Sequence, residues 1–123
     1  MKNLSKSIED YIETIYIIEQ EKNEIKSVDV ANKLGVSKPA VNKAMNELNN
    51  LNLIQKTNYS NIELTDQGRN LAKKIYEKHI LIYNFLLKLG VSEENANIDC
   101  CKIEHVISEE TAECIKKQMQ TKK

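Results

Sequence analysis

The middle of the chain holds two short stretches with apolar residues at helical spacing, separated by the turn Gly35-Val36-Ser37. Gly35 suits the left-handed residue that ends a helix, and Ser37 suits the residue that caps the next one. Pro39 follows in the first turn, where the N–H that proline lacks would have no helical partner. The pattern predicts one helix over residues 27–34, capped by Ser27, and a second from Ser37 to about Asn50.

Two short strands are predicted directly after these helices. Residues 53–56 and 61–64 flank the turn-rich stretch 57–60. Two helices joined by a glycine turn and followed by a β-hairpin make a winged helix-turn-helix. The apolar residues at the spacing by which such helices cross are Val28, Val30, Ala31, Leu34, Val36, Val41 and Leu48.

The second helix of the pair is expected to enter the major groove of DNA. Asparagine can pair with adenine, and lysine with guanine or phosphate, while the hairpin tip offers donors to the DNA backbone. A three-helix packing module without a ligand is the alternative. The predicted DNA-binding residues are Ser37, Lys38, Pro39, Ala40, Asn42, Lys43, Asn46, Asn58, Tyr59 and Ser60.

The rest of the chain is predicted to be helical, since it has only three Gly and one Pro among 123 residues. A first helix starts at Ser5 or Ser7, and a long one runs from Thr65 to about Leu89. Two more start at Ser92 and Ser108. We expect a mainly α protein with a two-stranded wing. Residues 1–70 form the DNA-binding domain, and residues 71–123 form a helical metal-binding and dimerisation domain.

Charge and cysteine content limit the class of protein. Eighteen Lys and Arg balance eighteen Asp and Glu, so total charge does not indicate a polybasic nucleic-acid binder. The apolar runs are too short for a membrane span, and no signal peptide is visible. Three cysteines, two of them adjacent, indicate reduced thiols rather than a disulfide framework. These features predict a cytoplasmic protein.

Three ligand-type side chains lie close together near the C-terminal end. Cys101, Glu104 and His105 fall at i, i+3 and i+4, so they share one face of a helix. A thiol, a carboxylate and an imidazole together bind transition metals. The alternative is a buried filler cysteine beside a surface Glu-His pair. Cys100 lies about 100° further round the helix and is not expected to ligate.

Two other helices carry further ligand-type residues. Asp10 and Glu13 lie on the first helix, off its apolar stripe, and His79 lies on the long fourth helix. Taken singly, Asp10 and Glu13 would form a solvated face and His79 would be a core histidine. Folding them into one helical lobe would collect carboxylates, imidazoles and a thiolate. The predicted metal ligands are Asp10, Glu13, His79, Cys101, Glu104 and His105.

Five stretches resemble the diphtheria-toxin-repressor family of metal-dependent transcription regulators. They are SIEDYIETIY at 7–16, VDVANKLGVSKPAV at 28–41, LTDQG at 64–68, KH at 78–79 and CKIEHVIS at 101–108. The resemblance implies a homodimeric, metal-activated repressor of metal-uptake genes that binds double-stranded operator DNA. Because the chain stops near Lys123, it is similar to the short manganese-transport-regulator branch, without the SH3-like domain of longer members.

The resemblance also implies which ligands are shared with each branch. Five of the six predicted ligands match the manganese branch, and the exception is Cys101, where that branch has Glu and the iron-responsive branch has Cys. Conversely, Asp10 stands where the iron branch has Met, and the ancillary ligands of that branch would fall at Tyr83 and Asn97. A thiolate favours softer ions and carboxylates suit Mn²⁺. We expect Fe²⁺, with Mn²⁺ close behind, and Zn²⁺ or Co²⁺ binding in vitro.

Two rival functions fit parts of the chain. A small metalloenzyme could use the same ligands, but no nucleophile-base pair or substrate-cradling glycine loop is visible, so no catalysis is expected. A metal-independent winged-helix adaptor that binds protein partners is the second rival. The surplus of apolar residues on the fourth helix instead predicts a dimer interface. These residues are Ile80, Leu81, Ile82, Phe85, Leu86, Leu87 and Leu89.

Overall fold

The computed structural model describes residues 4–56 and 61–120. The elements are α1 (Lys6–Glu21), β1 (Ile25–Lys26), α2 (Ser27–Leu34), α3 (Lys38–Asn50), β2 (Ile54–Lys56), β3 (Asn61–Leu64), α4 (Asp66–Lys88), α5 (Glu93–Ile103) and α6 (Glu109–Gln120). The predicted mainly α fold with a winged helix-turn-helix is confirmed. None of the helices within these two ranges is long and apolar enough to cross a membrane.

The chain divides into two compact units between Lys73 and Lys74. This division falls inside α4, so one continuous helix contributes its first turns to the N-terminal unit and the remainder to the C-terminal unit. The predicted domain boundary after residue 70 lies in the same helix and stays a prediction.

The N-terminal unit is built on the apolar stripe of α1. Ile12, Ile15 and Ile18 recur at helical spacing and are fully or almost fully buried. Side chains from α2 and α3 that are equally buried belong to the same unit: Val30, Val41, Met45 and Leu48. Burying each such side chain contributes roughly 1.5–3 kcal/mol, so these three helices carry most of the stability of this unit.

Local capping sets the ends of the two helix-turn-helix elements. The backbone of Gly35 is left-handed, with φ 67° and ψ 39°, and the Ser37 Oγ accepts a hydrogen bond from the Ala40 N–H at 3.2 Å. Both predictions are confirmed. The prediction that Ser27 caps α2 is wrong, because Ser27 is already helical and the extended residue before it is Lys26. The Asp29 carboxylate accepts from the Lys26 N–H at 3.3 Å instead.

The wing is part of a three-stranded antiparallel sheet in the order β1-β3-β2. Ile25 pairs with Ile62 on one side of β3, and Ile54 pairs with Leu64 on the other. The two wing strands were predicted, but β1 was not, because a two-residue strand is too short to show alternation. The wing tip, with Asn58, Tyr59 and Ser60, lies outside the described residues.

A tight junction fixes the start of α4 against the two residues that precede β2. Thr65 Oγ1 accepts from the Gly68 N–H at 2.9 Å and donates to the Asn52 carbonyl at 2.7 Å. The Thr65 N–H donates to the Leu53 carbonyl at 3.1 Å. The backbone of Gly68 comes so close to Leu53 that an added Cβ would lie 1.9 Å from the Leu53 oxygen. Only glycine fits there.

A bidentate ion pair joins α1 to the first turn of α4. Arg69 Nε and Nη2 donate to the two carboxylate oxygens of Glu19 at 3.0 and 2.7 Å. The hydrogen bonds that Arg69 donates to Glu19, and the negative charge of that carboxylate, raise the pKa of Arg69 above its ordinary value. The fork-to-carboxylate geometry fixes the rotation of α4 about its axis in the N-terminal unit.

The C-terminal unit contains the rest of α4 with α5 and α6. Ser92 Oγ accepts from the Asn95 N–H at 3.2 Å, and Ser108 Oγ accepts from the Thr111 N–H at 3.0 Å. Both predicted helix starts are therefore confirmed. The most buried side chains of this unit are Ile82, Ala96 and Cys100.

We expect Gly68→Ala to destabilise the N-terminal unit, because its Cβ would meet a backbone oxygen that no side-chain rotation can move. Overpacking of this kind costs about 1–3 kcal/mol, which urea denaturation followed by circular dichroism would measure. Asn70→Ala, at an exposed position on the same helix, is the control and should be nearly neutral. Equal midpoints for the two variants would contradict the tight junction.

Candidate metal centre

Two of the predicted metal ligands, Glu104 and His105, lie at the C-terminal end of α5. The helix stops at Ile103, so Glu104 is its C-cap and His105 lies in the following turn. The prediction that Glu104 and His105 lie on the helix is therefore wrong, because the helix ends at the residue before Glu104. Glu104 nevertheless keeps helical angles, with φ −59° and ψ −22°, and its N–H donates to the Cys100 carbonyl at 3.0 Å. The predicted spacing from Cys101 is therefore preserved.

The Glu104 carboxylate is buried between two imidazoles. Its side chain is 1% exposed, and its Oε1 lies 2.7 Å from His79 Nδ1 on α4. Its Oε2 lies 3.4 Å from Nε2 of the neighbouring His105, which is equally buried. Burying a carboxylate is costly unless partners compensate its charge. A cation that both imidazoles and the carboxylate could bind fits this arrangement.

Two thiols lie near the His79 ring. The Cys100 Sγ is 3.5 Å from His79 Nδ1 and 3.8 Å from Nε2. One ligand atom each from His79, Cys100 and Cys101 lie within 4.8 Å of one another. Sequence reasoning placed Cys100 outside the site, but α4 brings the His79 ring within reach of both neighbouring cysteines. None of the three cysteines, all of which are described, forms a disulfide.

Asp10 and Glu13 belong to α1 of the N-terminal unit. Glu13 is buried rather than solvated, whereas Asp10 is half-buried and its Oδ2 accepts from Lys6 Nζ at 2.8 Å. A buried carboxylate has to be compensated by hydrogen bonds, by opposite charge or by a metal, so the burial of Glu13 is compatible with a ligand role. The full set of six predicted ligands stays a prediction.

The predicted DNA-reading surface is accessible. Of the predicted DNA-contacting residues on α3 and its cap, only Ala40 is half-buried and the rest are exposed: Ser37, Lys38, Pro39, Asn42, Lys43 and Asn46. Lys56 of β2 donates to the Asn46 Oδ1 at 2.9 Å, which orients that amide. Sequence reasoning missed Lys56, although a basic residue at a strand end beside the reading helix could have indicated it.

A surface cavity of about 320 Å³ lies beside the reading helix. It is lined by Lys26, Ser27, Val28, Lys38 and Asn42. Two lysines and two neutral polar side chains are suited to a DNA phosphate. Lys26 and Ser27 were not predicted as DNA contacts, because nothing in the sequence indicates that β1 ends beside α3.

Large apolar side chains are exposed on the C-terminal unit. They are Ile80, Leu89, Ile98 and Val106, the last of which is 80% exposed. Of the residues predicted for a dimer interface, Ile82 is buried inside the chain and is therefore unsuited, whereas Ile80 and Leu89 are exposed. These exposed side chains are candidates for the predicted dimer interface.

Comparisons with known proteins agree with this geometry. Residues 3–62 match the iron dependent repressor N-terminal DNA binding domain. Residues 65–123 match the iron dependent repressor metal binding and dimerisation domain. The chain is 40% identical over 109 residues to the transcriptional regulator MntR of Escherichia coli O6:H1, covering 89% of this chain and 70% of the relative.

An archaeal relative and a solved structure extend the similarity. An uncharacterised helix-turn-helix transcriptional regulator of Methanocaldococcus jannaschii is 39% identical over 115 residues, covering 92% of each chain. The solved structure of the manganese regulator SloR superimposes with a TM-score of 0.81 at 30% identity. The match covers 91% of this chain and 53% of that one, so this chain spans about half the length of SloR.

The fold, the exposed reading helix and the buried Glu104 pair define a DNA-binding regulator with a metal-binding domain. The chain belongs to the iron-dependent repressor family. The resemblance to a family of metal-dependent transcription regulators stated from the sequence is confirmed.

We expect His79→Phe to lower the free energy of unfolding of the metal-free protein by about 1–3 kcal/mol, because it leaves the buried Glu104 carboxylate without its closest hydrogen-bond partner. His79→Gln should cost less, since an amide can still donate. Urea denaturation in the presence of a chelator would measure both. Tyr83→Phe, one turn along α4, is the control. If His79→Phe matched that control, the His79–Glu104 bond would be energetically unimportant.

Proposed function

We propose that this protein is a metal-activated, dimeric repressor that acts in the cytoplasm on operator DNA of metal-uptake genes. The observation that carries the proposal is the buried Glu104 carboxylate between His79 and His105, in a chain whose reading helix is exposed. A metal-independent adaptor would have no use for two imidazoles around a buried carboxylate.

We assign the activating ion to the predicted ligands. Their mixture of carboxylates, imidazoles and one thiolate is chemically suited to a divalent first-row metal, with Fe²⁺ and Mn²⁺ as the proposed effectors. The bound ion would supply positive charge beside the buried carboxylates of Glu104 and Glu13. The proposed ligands are Asp10, Glu13, His79, Cys101, Glu104 and His105.

DNA recognition is assigned to α3. Asn42 and Lys43 are exposed on the same stretch of helix and can reach base edges in the major groove. A two-fold dimer would present two such helices to successive major grooves, about one helical turn apart. Because metal and DNA would favour the same state of the dimer, each would tighten the binding of the other.

The test is a metal titration read out as DNA binding. The chelator-treated protein is first used with Mn²⁺ to select duplexes from a random-sequence pool. Fluorescence anisotropy of a selected duplex is then followed under anaerobic, reducing conditions with Mn²⁺, Fe²⁺, Zn²⁺ or chelator. The proposal expects DNA affinity at least about tenfold higher with metal, a coupling of about 1.4 kcal/mol. Equal affinity with chelator would instead support the adaptor.

Lys43→Ala should weaken binding to the selected duplex by roughly 1–3 kcal/mol if Lys43 contacts a base edge, with less effect on unrelated duplexes. If the lysine touches only phosphate, the loss will be similar on all sequences and the salt dependence will decrease. Lys73→Ala removes the same charge from α4 and is the control. Unchanged binding by Lys43→Ala would mean that α3 is not the reading helix.

Ile98→Asp should dissociate the proposed dimer. Ile98 is a large exposed apolar residue of the C-terminal unit, and burying a carboxylate in an interface costs several kcal/mol, so the dimer Kd should rise about 100-fold or more. Sedimentation equilibrium at micromolar concentration with Mn²⁺ measures this directly. Asn97→Asp introduces the same charge at the preceding exposed position. A dimer unaffected by Ile98→Asp would move the interface elsewhere.

Cys101→Glu should shift the metal response toward Mn²⁺ without unfolding the protein. The change replaces sulfur by oxygen, which Mn²⁺ accepts readily and Fe²⁺ less so. The ratio of Mn²⁺ to Fe²⁺ concentrations needed for half-maximal DNA binding is the measurement, made anaerobically because thiolates oxidise. Cys114→Ser, on the exposed side of α6, controls for loss of a thiol. A constant ratio would make Cys101 a packing residue.

A further inference from the structure

We infer that His79, Cys100 and Cys101 form a second metal-binding group, which takes thiophilic divalent ions such as Zn²⁺, Co²⁺ or Cd²⁺ with both thiolates. The ligand that was not predicted from the sequence is Cys100. The inference rests on the proposed function in one respect, since both treat His79 and Cys101 as metal ligands. It does not depend on DNA binding.

The distances in this group suit a tetrahedral ion. With a metal–sulfur bond of about 2.3 Å and a metal–nitrogen bond of about 2.05 Å, tetrahedral angles place the two ligand atoms about 3.6 Å apart. The Cys100 Sγ lies 3.8 Å from His79 Nε2. The ligand atoms of all three residues lie within 4.8 Å of one another, so only small side-chain rotations are needed. Cys101 is partly exposed, and a solvent water completes the four ligands.

The buried Glu104 carboxylate prepares His79 for this role. A hydrogen bond of 2.7 Å joins the Glu104 Oε1 to His79 Nδ1, and an ionised carboxylate can only accept. With Nδ1 engaged by Glu104, Nε2 is the ring nitrogen that we assign to the metal. A carboxylate that orients a histidine in this way is the usual second partner of a metal-bound imidazole.

The surroundings of Cys100 favour a metal thiolate over other uses of a thiol. Its side chain is fully buried, and its sulfur lies 3.4 Å from the Asn97 carbonyl, to which the thiol donates. Adjacent residues have Cα atoms about 3.8 Å apart, which is shorter than a disulfide normally spans. Cys100 and Cys101 therefore cannot form a disulfide without distorting α5. Metal binding would release the thiol protons instead.

The consequence is competition between two kinds of ion for shared ligands. A zinc-like ion held by both thiolates would occupy His79 and Cys101, which the proposed Mn²⁺ or Fe²⁺ site also uses. Such an ion would bind without producing the ligand arrangement that activates the repressor. Cys100 would thus reduce the response to thiophilic metals while leaving the Mn²⁺ response unchanged.

Cobalt spectroscopy tests the number of thiolates. The reduced, chelator-treated protein is titrated anaerobically with Co²⁺, and the near-ultraviolet absorption of sulfur-to-cobalt charge transfer is recorded, whose intensity grows with each bound thiolate. We expect Cys100→Ser and Cys101→Ser each to lose about half of the wild-type intensity. Cys114→Ser is the control and should lose none. Full wild-type intensity in Cys100→Ser would overturn the inference.

Two further measurements keep the inference testable apart from folding and from the proposed function. X-ray absorption spectroscopy of the wild-type protein loaded with Co²⁺ should give two sulfur ligands per ion. One sulfur or none would contradict the inference, and this measurement does not require Cys100→Ser to fold. Cys114→Ser, whose thiol is exposed on α6, should keep the wild-type Mn²⁺-dependent DNA binding. If the wild-type protein showed no metal-dependent DNA binding, the proposed function would be rejected. The number of sulfurs bound to cobalt would still decide whether His79, Cys100 and Cys101 bind a metal together.

Discussion

The buried carboxylate of Glu104 is the constraint on which the C-terminal unit depends. A charged group that is 1% exposed must be compensated inside the protein, and the compensation comes from His79, 25 residues earlier on α4. The bond therefore joins α4 to the turn that ends α5. It also fixes the His79 ring beside Cys100, whose Sγ lies 3.5 Å from Nδ1 and 3.8 Å from Nε2. One hydrogen bond serves both the fold and the chemistry of the centre.

Most helix ends could be predicted because they are local. Ser37, Thr65, Ser92 and Ser108 each accept from an N–H three residues on, which is a property of four consecutive residues and needs no tertiary information. The prediction that Ser27 caps α2 was wrong because of a tertiary contact. The segment before it pairs with β3 as a short strand, and this pairing makes Lys26 the last extended residue. Neither that strand nor its effect on the cap can be recognised from two residues.

The candidate site was predictable only within one helix. Cys101 and Glu104 share a face because of helical spacing, and the structure keeps that relation although α5 ends one residue before Glu104. A helical projection has no information about which neighbouring helix lies above a given face. The approach of His79 to Cys100 is set by the packing of α4 on α5, so Cys100 was excluded from the site by a projection that treats α5 in isolation. Adjacent cysteines near a predicted histidine ligand were the signal that could have included it.

The proposed thiolate and carboxylate ligands bear on a general problem of metal regulation, which is how a protein responds to Mn²⁺ or Fe²⁺ in the presence of Zn²⁺. Zn²⁺ binds most nitrogen and oxygen sites more tightly than Mn²⁺ or Fe²⁺ does, so affinity alone cannot select the weaker-binding ions. Selection must come from coordination geometry. Under the proposed arrangement, a thiophilic ion takes Cys100, Cys101 and His79, whereas a harder ion takes the carboxylates and imidazoles. The two ions would then leave Glu104 and the ligands of α1 in different states, and only one of these states would activate DNA binding.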